Sequence, residues 1–556
     1  MDAGTLTLSE LLRLQARERP DQEALVYPAF AHGGVALRLS YAQLDRRADE
    51  LAAGLLALGL EKGEHVAVWA ANVPDWVPLE FALARIGAVL VTVNTALAKD
   101  ELAFVLRQSK SVAVLHTTRT GSNESSRSLD ELLLADDPSV AGLRHRVWLP
   151  THPHDEPAMG VAPGHGVGAL LSLHALEERG RAVAPETLAA REAACRPDDV
   201  VNIQYTSGTT GTSKGVMLSH ANILGSGRAL GGQLRTTPAD RVAMVVPLFH
   251  CFGCVVCVLG AYTHGATLCC IPAFDPGDAL RLVDEEKCTL LHGVPTMFSA
   301  MLAHEDAGRR PIRSLRAGLM AGAPCPVPLM KAVGEALHCP GLAVTYGLTE
   351  ASPGVSGSAP EASLEARCET IGVPLPGVEV CIVDPETLAA RPDGESGELL
   401  VRGPNVMVGY HDDEEATTRA ITPGGWLRTG DLCLRGPDGN LRIVGRLKDV
   451  IIRGGENIAP AEIENVLREH ADIADAAVVG VPDERLGEII GAALVLRRGA
   501  RLKPRSYARL LAGRVAKFKV PERWLALERF PLTGSGKVQK FKLRELFAAS
   551  SDPAAV

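Results

Sequence analysis

Cysteine is scarce in this chain: twelve residues in 556, irregularly spaced apart from one cluster. That is too few for a disulfide scaffold and points to reduced thiols in a cytoplasmic protein. An excess of positive charge is also missing. Fifty-seven Lys and Arg against sixty-six Asp and Glu leave a formal charge of −9, which argues against nucleic-acid binding by the whole chain. The opening MDAGTLTLSELL has no basic stretch and no long apolar core, so no signal peptide is expected. The closing SSDPAAV shows no lipidation or targeting signal. No internal repeat is evident. One run, Val242 to Thr263, lacks Asp, Glu, Lys and Arg, but Pro247, His250, Gly253 and Gly260 interrupt it. We read it as a buried strand, a turn and a buried helix from about Cys254, not as a membrane span.

What is present is a globular composition, 46% hydrophobic and 22% charged, with length for two to four domains at roughly 150 residues each. Its charge is unevenly spread. Arg497 to Glu545 holds fifteen Lys and Arg against three Asp and Glu, a basic segment suited to a small polyanion such as a nucleotide. Ser40-Tyr-Ala-Gln43 has the form of a capping box. Leu44, Ala48, Leu51, Leu55 and Leu58 then recur at helical spacing. HVAVWA (65–70), a helical stretch near 77–87 and AVLVTVN (88–94) read as strand–helix–strand, the parallel α/β pattern. VAVLHT, LHGV and VTYG read as further strands, and Thr151 to Gly168 as a surface loop. Gly436-Pro-Asp-Gly439 predicts a hairpin turn, and a boundary falls at Gly445 to Asp449. Beyond it come a helix from Pro460 to about His470, the strands AAVVGV and AALVL, and the basic segment: enough for a small α+β domain.

The strongest local signal is Tyr205-Thr-Ser-Gly-Thr-Thr-Gly-Thr-Ser-Lys-Gly215. Glycines let backbone amides converge on phosphate oxygens, Thr206, Ser207, Thr209 and Thr210 add hydroxyls, and Lys214 adds a cation. It is not a Walker A loop, because Ser213 precedes Lys214 and Gly215 follows it. The loop resembles the phosphate-binding signature of adenylate-forming enzymes, a family that includes acyl-CoA synthetases, aryl-CoA ligases, luciferases and peptide-synthetase adenylation domains. Four further family motifs follow in order: Val344-Thr-Tyr-Gly-Leu-Thr-Glu350, Gly425-Trp-Leu-Arg-Thr-Gly-Asp431, Gly445-Arg-Leu-Lys-Asp-Val450 and Pro531-Leu-Thr-Gly-Ser-Gly-Lys537. The resemblance spans roughly residues 8 to 548.

It implies an α/β fold with a large N-terminal domain (1–447) of parallel sheets and a β-barrel-like part, and a small mobile α+β C-terminal domain (448–556). By resemblance, Thr206, Ser207, Gly208, Thr209, Thr210, Gly211 and Lys214 hold phosphate. Tyr346 and Gly347 lie against adenine, with Gly322, Ala323 and Pro324 as the backbone wall of the adenine and acyl site. Thr349 touches phosphate and Glu350 binds Mg²⁺. Asp431 takes the ribose hydroxyls, as a carboxylate can, and Arg446 contacts ribose or phosphate. Lys448 is the hinge, Arg453, Gly454 and Gly455 form the loop facing CoA, and Lys537 is the adenylation lysine. His250 and Thr345 are assigned to the acyl pocket with Gly322. Lys517 and Lys519 read as a solvated face.

These assignments imply an ATP-dependent carboxylate–CoA ligase using Mg²⁺, ATP and coenzyme A, most like medium-chain fatty-acyl-CoA synthetases. The alternatives are an acyl-AMP ligase loading a separate carrier protein's phosphopantetheine thiol, or an aryl- or dicarboxylate-CoA ligase. Its partners would be small molecules; a homodimer is compatible with the sequence. Ser213 departs from the family's usual proline. Cys251-x2-Cys254-x2-Cys257 has the spacing of three iron–sulfur ligands, but within an apolar run free cysteine behaves as a small hydrophobe, so these are read as structural thiols.

Overall fold

The computed structural model describes residues 5–119, 125–135, 137–155, 170–206, 213–323, 325–453, 456–483, 485–512, 514–532 and 538–549. Backbone packing divides the chain into two compact units. One comprises Met1–Glu379 with Val401–Leu427, the other Val380–Leu400 with Arg428–Val556.

In the first unit the local signals hold. Ser40 caps the helix Tyr41–Ala57: the Gln43 amide donates to Ser40 Oγ, and the Ser40 amide donates to Gln43 Oε1 at 2.8 Å. Leu44, Ala48, Leu51 and Leu55 are fully buried along its inner stripe. His65–Trp69, the helix Trp76–Ile86 and Val89–Thr92 form the expected strand–helix–strand, and the two strands pair in parallel. They belong to an eight-stranded sheet. Its parallel members are Leu171–Ser172, His145–Trp148, Ala113–His116, His65–Trp69, Val89–Thr92 and Val200–Thr206. Lys214–Ser219 and Gly409–Tyr410 close that edge antiparallel. A nine-stranded sheet runs in parallel from Glu23–Tyr27 through Thr267–Cys270, Arg241–Met244, Leu290–Gly293 and Ala317–Met320 to Gly341–Gly347. Each sheet carries its own apolar core.

Four helices of this unit meet at an ion-pair network around a buried arginine. Arg85 has a fully buried side chain, and its guanidinium reaches Asp45 and Asp49 at 2.6 Å each. Arg13 pairs with Asp45, Asp49 and Glu192 at 2.9, 2.7 and 3.1 Å. Burial pushes the Asp49 and Glu192 carboxyls up, but hydrogen bonds from Arg13 and the charge of Arg85 outweigh it and hold both below the usual carboxylate range. A carboxyl depressed in the folded state stabilises the protein above its unfolded pKa, and that contribution disappears as pH falls through the folded value. Stability should therefore decline in acid below the ordinary carboxylate range, and less steeply in Asp49→Asn. Arg85→Met should cost about 1–3 kcal/mol, because it removes hydrogen bonds from partly buried carboxylates that Arg13 still pairs. Guanidinium unfolding midpoints across pH check both; an Arg85→Met midpoint equal to wild type would rule out a stabilising role for the network.

The second unit begins with the strands of a four-stranded sheet, ordered Glu379–Val383, Gly397–Arg402, Leu427–Arg435, Leu441–Arg446; the barrel-like part is expected in the large domain, whereas these strands form an open sheet that falls largely in the second unit. Gly436 to Asn440 makes the predicted hairpin turn, with the Gly436 amide donating to the Asn440 carbonyl at 2.8 Å. Beyond it the helix Pro460–Arg468 and the long antiparallel pair Ile473–Asp483 and Gly487–Leu496 appear where expected. Ala476 and Val478 enter one core, while Ala477, Val479 and Val481 enter another. Burial on both faces explains why this strand reads as an unbroken apolar run.

The run Val242 to Thr263 resolves into the strand Arg241–Met244, a turn, and a deeply buried π-helix Phe252–Leu259 and short helical turn Gly260–Tyr262. Among the described residues no helix is long and apolar enough to cross a membrane.

Candidate active site

Positions at the C-terminal ends of parallel strands gather the candidate residues of the first unit, the usual place for ligands in α/β sheets. Thr206 ends the strand Val200–Thr206, and Lys214 opens its antiparallel neighbour. The two are direct register partners, so the ends of the Gly/Thr/Ser segment are brought together. Ser207, Gly208, Thr209, Thr210 and Gly211 lie outside the described residues, as do Pro324, Gly454, Gly455 and Lys537. Residues 156–168 of the predicted surface loop do so too.

The strand Gly341–Gly347 delivers Thr345, Tyr346 and Gly347. Thr345 Oγ1 donates to the Ser356 carbonyl at 2.9 Å, which turns it to the neighbouring strand. Tyr346 is buried, at 8% exposure. Gly347 has no alternative: a Cβ there would lie 1.4 Å from the Pro353 carbonyl oxygen. Gly322 follows the adjacent strand Ala317–Met320 with φ +84°, a left-handed conformation that glycine tolerates, and leads into exposed Ala323.

Thr349 and Glu350 sit in the single turn Thr349–Ala351. Thr349 is buried, and its Oγ1 lies 3.9 Å from Cys251 Sγ, tying this turn to the start of the π-helix. His250 lies at that same junction, where its Nδ1 accepts from the Phe252 amide at 3.2 Å. π-Helical turns are energetically poor and concentrate at functional sites, so the π-helix adds weight to the His250 region.

A segment absent from the sequence reading joins these residues of the first unit. The Met407 amide donates to the Glu350 carbonyl at 2.9 Å. Tyr410 Oη donates to Glu350 Oε1 at 2.9 Å, and Lys214 Nζ stands 4.8 Å from the Tyr410 ring centroid. Burial, then the Glu350 charge, pushes the Tyr410 phenol well above its ordinary value, so it remains a donor. Sixty residues separate Tyr410 from Glu350. No spacing rule links them; the pairing of Gly409–Tyr410 with Lys214–Ser219 and the Met407–Glu350 backbone bond do.

In the second unit Asp431 and Arg446 are register partners on the hairpin, joined by a 2.8 Å salt bridge. Asp431 is buried, at 4% exposure. The Asp431 amide donates to Thr429 Oγ1, while Glu398 accepts from the Gly430 amide and pairs with Arg428. The Thr-Gly-Asp turn is thus held from both sides. Lys448 lies in the single turn Leu447–Asp449 between two strands. Arg453 ends the strand Ile451–Arg453 and pairs with Glu522 at 2.7 Å. Lys519 pairs with Glu462 at 2.7 Å, an arrangement that fits a surface role.

The sulfurs of the three-cysteine run turn to different partners. Cys251 Sγ faces His250 and Thr349, whereas Cys254 Sγ accepts from Gln204 Nε2 at 3.2 Å and donates to the His250 carbonyl. Burial raises the thiols of Cys254 and Cys257 well above their ordinary range, so they stay protonated and poor ligands. Purified protein is expected to show no visible absorption band and no stoichiometric iron. Iron lost on replacing Cys251, Cys254 and Cys257 would reverse that reading.

Comparison with known proteins matches this architecture. The sequence model described as AMP-binding enzyme covers residues 12–411, and that of the AMP-binding enzyme C-terminal domain covers 462–537. A Bacillus subtilis (strain 168) protein named as an acyl-CoA synthetase, YngI, is 41% identical over 97% of this chain and 96% of its own length. The mitochondrial medium-chain acyl-CoA ligase ACSF2 of Mus musculus is 37% identical over 97% of this chain and 87% of its own. The crystal structure of ATP-bound MatB from Rhodopseudomonas palustris superimposes with a TM-score of 0.82 at 27% identity, covering 98% of this chain and all of that one. With both of its parts matched and relatives aligned along nearly its whole length, the chain belongs to the AMP-binding, adenylate-forming enzyme family.

Proposed function

We propose that this chain is an ATP-dependent carboxylate–CoA ligase. A carboxylate oxygen attacks the α-phosphorus of ATP, the bond to the β-phosphate oxygen breaks, and acyl-AMP and pyrophosphate result. The thiol of CoA then attacks the acyl carbon, loses its proton and displaces AMP. The observation that carries this reading is that Lys214, the register partner of Thr206, and Glu350, next to Thr349 in one turn, both meet the side chain of Tyr410, together with acyl-CoA ligases as relatives along the chain.

The chain's own groups divide the work. Thr206 and Lys214 flank the phosphate segment, and Lys214 supplies a point charge to phosphate oxygens. Tyr346 offers a flat apolar face to adenine, Thr349 a hydroxyl to phosphate, and Asp431 a carboxylate to the ribose diol, oriented by Arg446. Among the described residues no three His, Cys, Asp or Glu side chains form a metal site. A lone Glu350 carboxylate nevertheless fits Mg²⁺, which is ordinarily held by one or two carboxylates plus phosphates and water. When bound, the cation would neutralise charge on the phosphates. Lys537 serves adenylation and the Arg453–Gly455 segment serves CoA, in a C-terminal domain that we place at 448–556 with Lys448 as its hinge.

The acyl group is proposed to be a medium-chain fatty acid, in keeping with the names of ACSF2 relatives and the apolar π-helix beside His250. A panel of fatty, aryl and dicarboxylic acids, scored for CoA-dependent AMP release, tests the reading. AMP with medium-chain acids supports it. Adenylation without CoA-dependent thioester would favour a carrier-protein acceptor, and ADP as product would refute ligase chemistry.

A further inference from the structure

The segment Met407–His411 runs past the candidate site as a strap. Its Met407 amide holds the Glu350 carbonyl at 2.9 Å, its Val408 amide donates to the Met217 carbonyl at 3.0 Å, and its His411 amide donates to the Gly215 carbonyl at 2.7 Å. The Tyr410 amide donates to Thr417 Oγ1 at 2.9 Å, anchoring the strap from behind on the helix Glu414–Ala420. Four fixed backbone donors leave Tyr410 little freedom to move. Its side chain reaches two groups that come from distant parts of the sequence: the Glu350 carboxylate at 2.9 Å and, over its ring, the Lys214 ammonium at 4.8 Å.

Among the described residues Tyr410 hydrogen-bonds the Glu350 side chain. A phenol donating to Oε1 fixes the plane of the carboxylate and directs the lone pairs of Oε2 to another electrophile. The same ring attracts the ammonium of Lys214 by its negative face, so metal ligand and phosphate cation keep a set separation before any nucleotide arrives. We propose that Tyr410 is a positioning residue: it orients Glu350 for a divalent cation and Lys214 for the phosphates of the same nucleotide. This rests on the ligase reading, in which Glu350 meets the metal. Outer partners of metal ligands matter in this way because they fix ligand orientation, and losing one typically weakens metal binding about 10–100-fold.

The test is equilibrium binding, without turnover. Full-length protein with ATP, but without carboxylic acid or CoA, is titrated with Mn²⁺, and free Mn²⁺ is read from its paramagnetic resonance signal. Tyr410→Phe keeps the ring and removes the donor. It is expected to weaken Mn²⁺ binding about 10–100-fold while metal-free ATP affinity stays near wild type. That unchanged affinity would separate lost orientation from general damage. Tyr410→Leu, which also removes the ring, is expected to weaken metal-free ATP binding as well. Glu350→Gln, run in parallel, should lose Mn²⁺ binding at least as severely. Should Glu350→Gln lose the metal while Tyr410→Phe binds it as wild type does, the positioning role is overturned and the ligase reading stands. Wild-type Mn²⁺ binding by Glu350→Gln would overturn the metal assignment, and the role of Tyr410 with it.

Discussion

Replacing Lys537 by alanine is expected to slow acyl-adenylate formation by roughly 10²–10³, as for the loss of one transition-state donor, while sparing thioester formation from supplied acyl-AMP and CoA. The argument is electrostatic. As the carboxylate attacks the α-phosphorus, negative charge accumulates on the phosphate oxygens, and an ammonium placed there stabilises the transition state more than the ground state. Once acyl-AMP exists that charge has resolved, and the second step needs access for a thiol, not another cation at phosphate. Lys537 ends a Gly-Ser-Gly run in the basic segment of the chain and matches the family's adenylation lysine. Two measurements separate the half-reactions: pyrophosphate release from ATP and acid, and consumption of synthetic acyl-AMP by CoA. Equal slowing of both would mean that Lys537 is not specific to adenylation, and the division of the C-terminal domain between two steps would lose its main support.

Glu350→Gln is expected to lower adenylation on the order of 10²-fold, the scale of removing one electrostatic stabiliser. The substitution is nearly isosteric. Its amide oxygen can still accept from Tyr410, and its main-chain carbonyl keeps the Met407 amide, so the local fold should survive. What it loses is the charge that a hard cation requires. Pyrophosphate exchange at limiting Mg²⁺ reads the effect directly, with an unfolding curve confirming that the variant is folded. Near-wild-type exchange would remove Glu350 from the metal site. Partial recovery at high Mg²⁺ would fit a weakened ligand, whereas a rate lowered equally at every Mg²⁺ concentration would point to a role other than metal binding.

The amino-acid sequence by itself determined much of this protein, wherever a property depends on neighbours along the chain. Ser40 and Gln43 cap a helix because three residues separate them. The strand–helix–strand at 65–92 follows from a change of apolar period, and the Gly436–Gly439 turn from glycine and proline at fixed offsets. The candidate site was legible for the same reason. Short motifs preserve the spacing that sets Thr206 and Lys214 opposite one another in register and Thr349 beside Glu350 in one turn.

Only the tertiary structure decided contacts made across long chain separations. Nothing local marks Arg85 as the centre of an ion-pair network drawn from four helices, because its partners Asp45, Asp49 and Glu192 become neighbours only when those helices pack. The apolar run after Phe249 holds no signal for π-helical hydrogen bonding over α-helical, since both bury the same side chains. The compact units also part before the motif at Gly445, because the Asp431–Arg446 hairpin packs with the residues that follow it. Tyr410 is the clearest case. It reads as an ordinary tyrosine after a glycine, and becomes the partner of Glu350 and Lys214 through one short strand pairing, a non-local contact that sequence spacing does not encode.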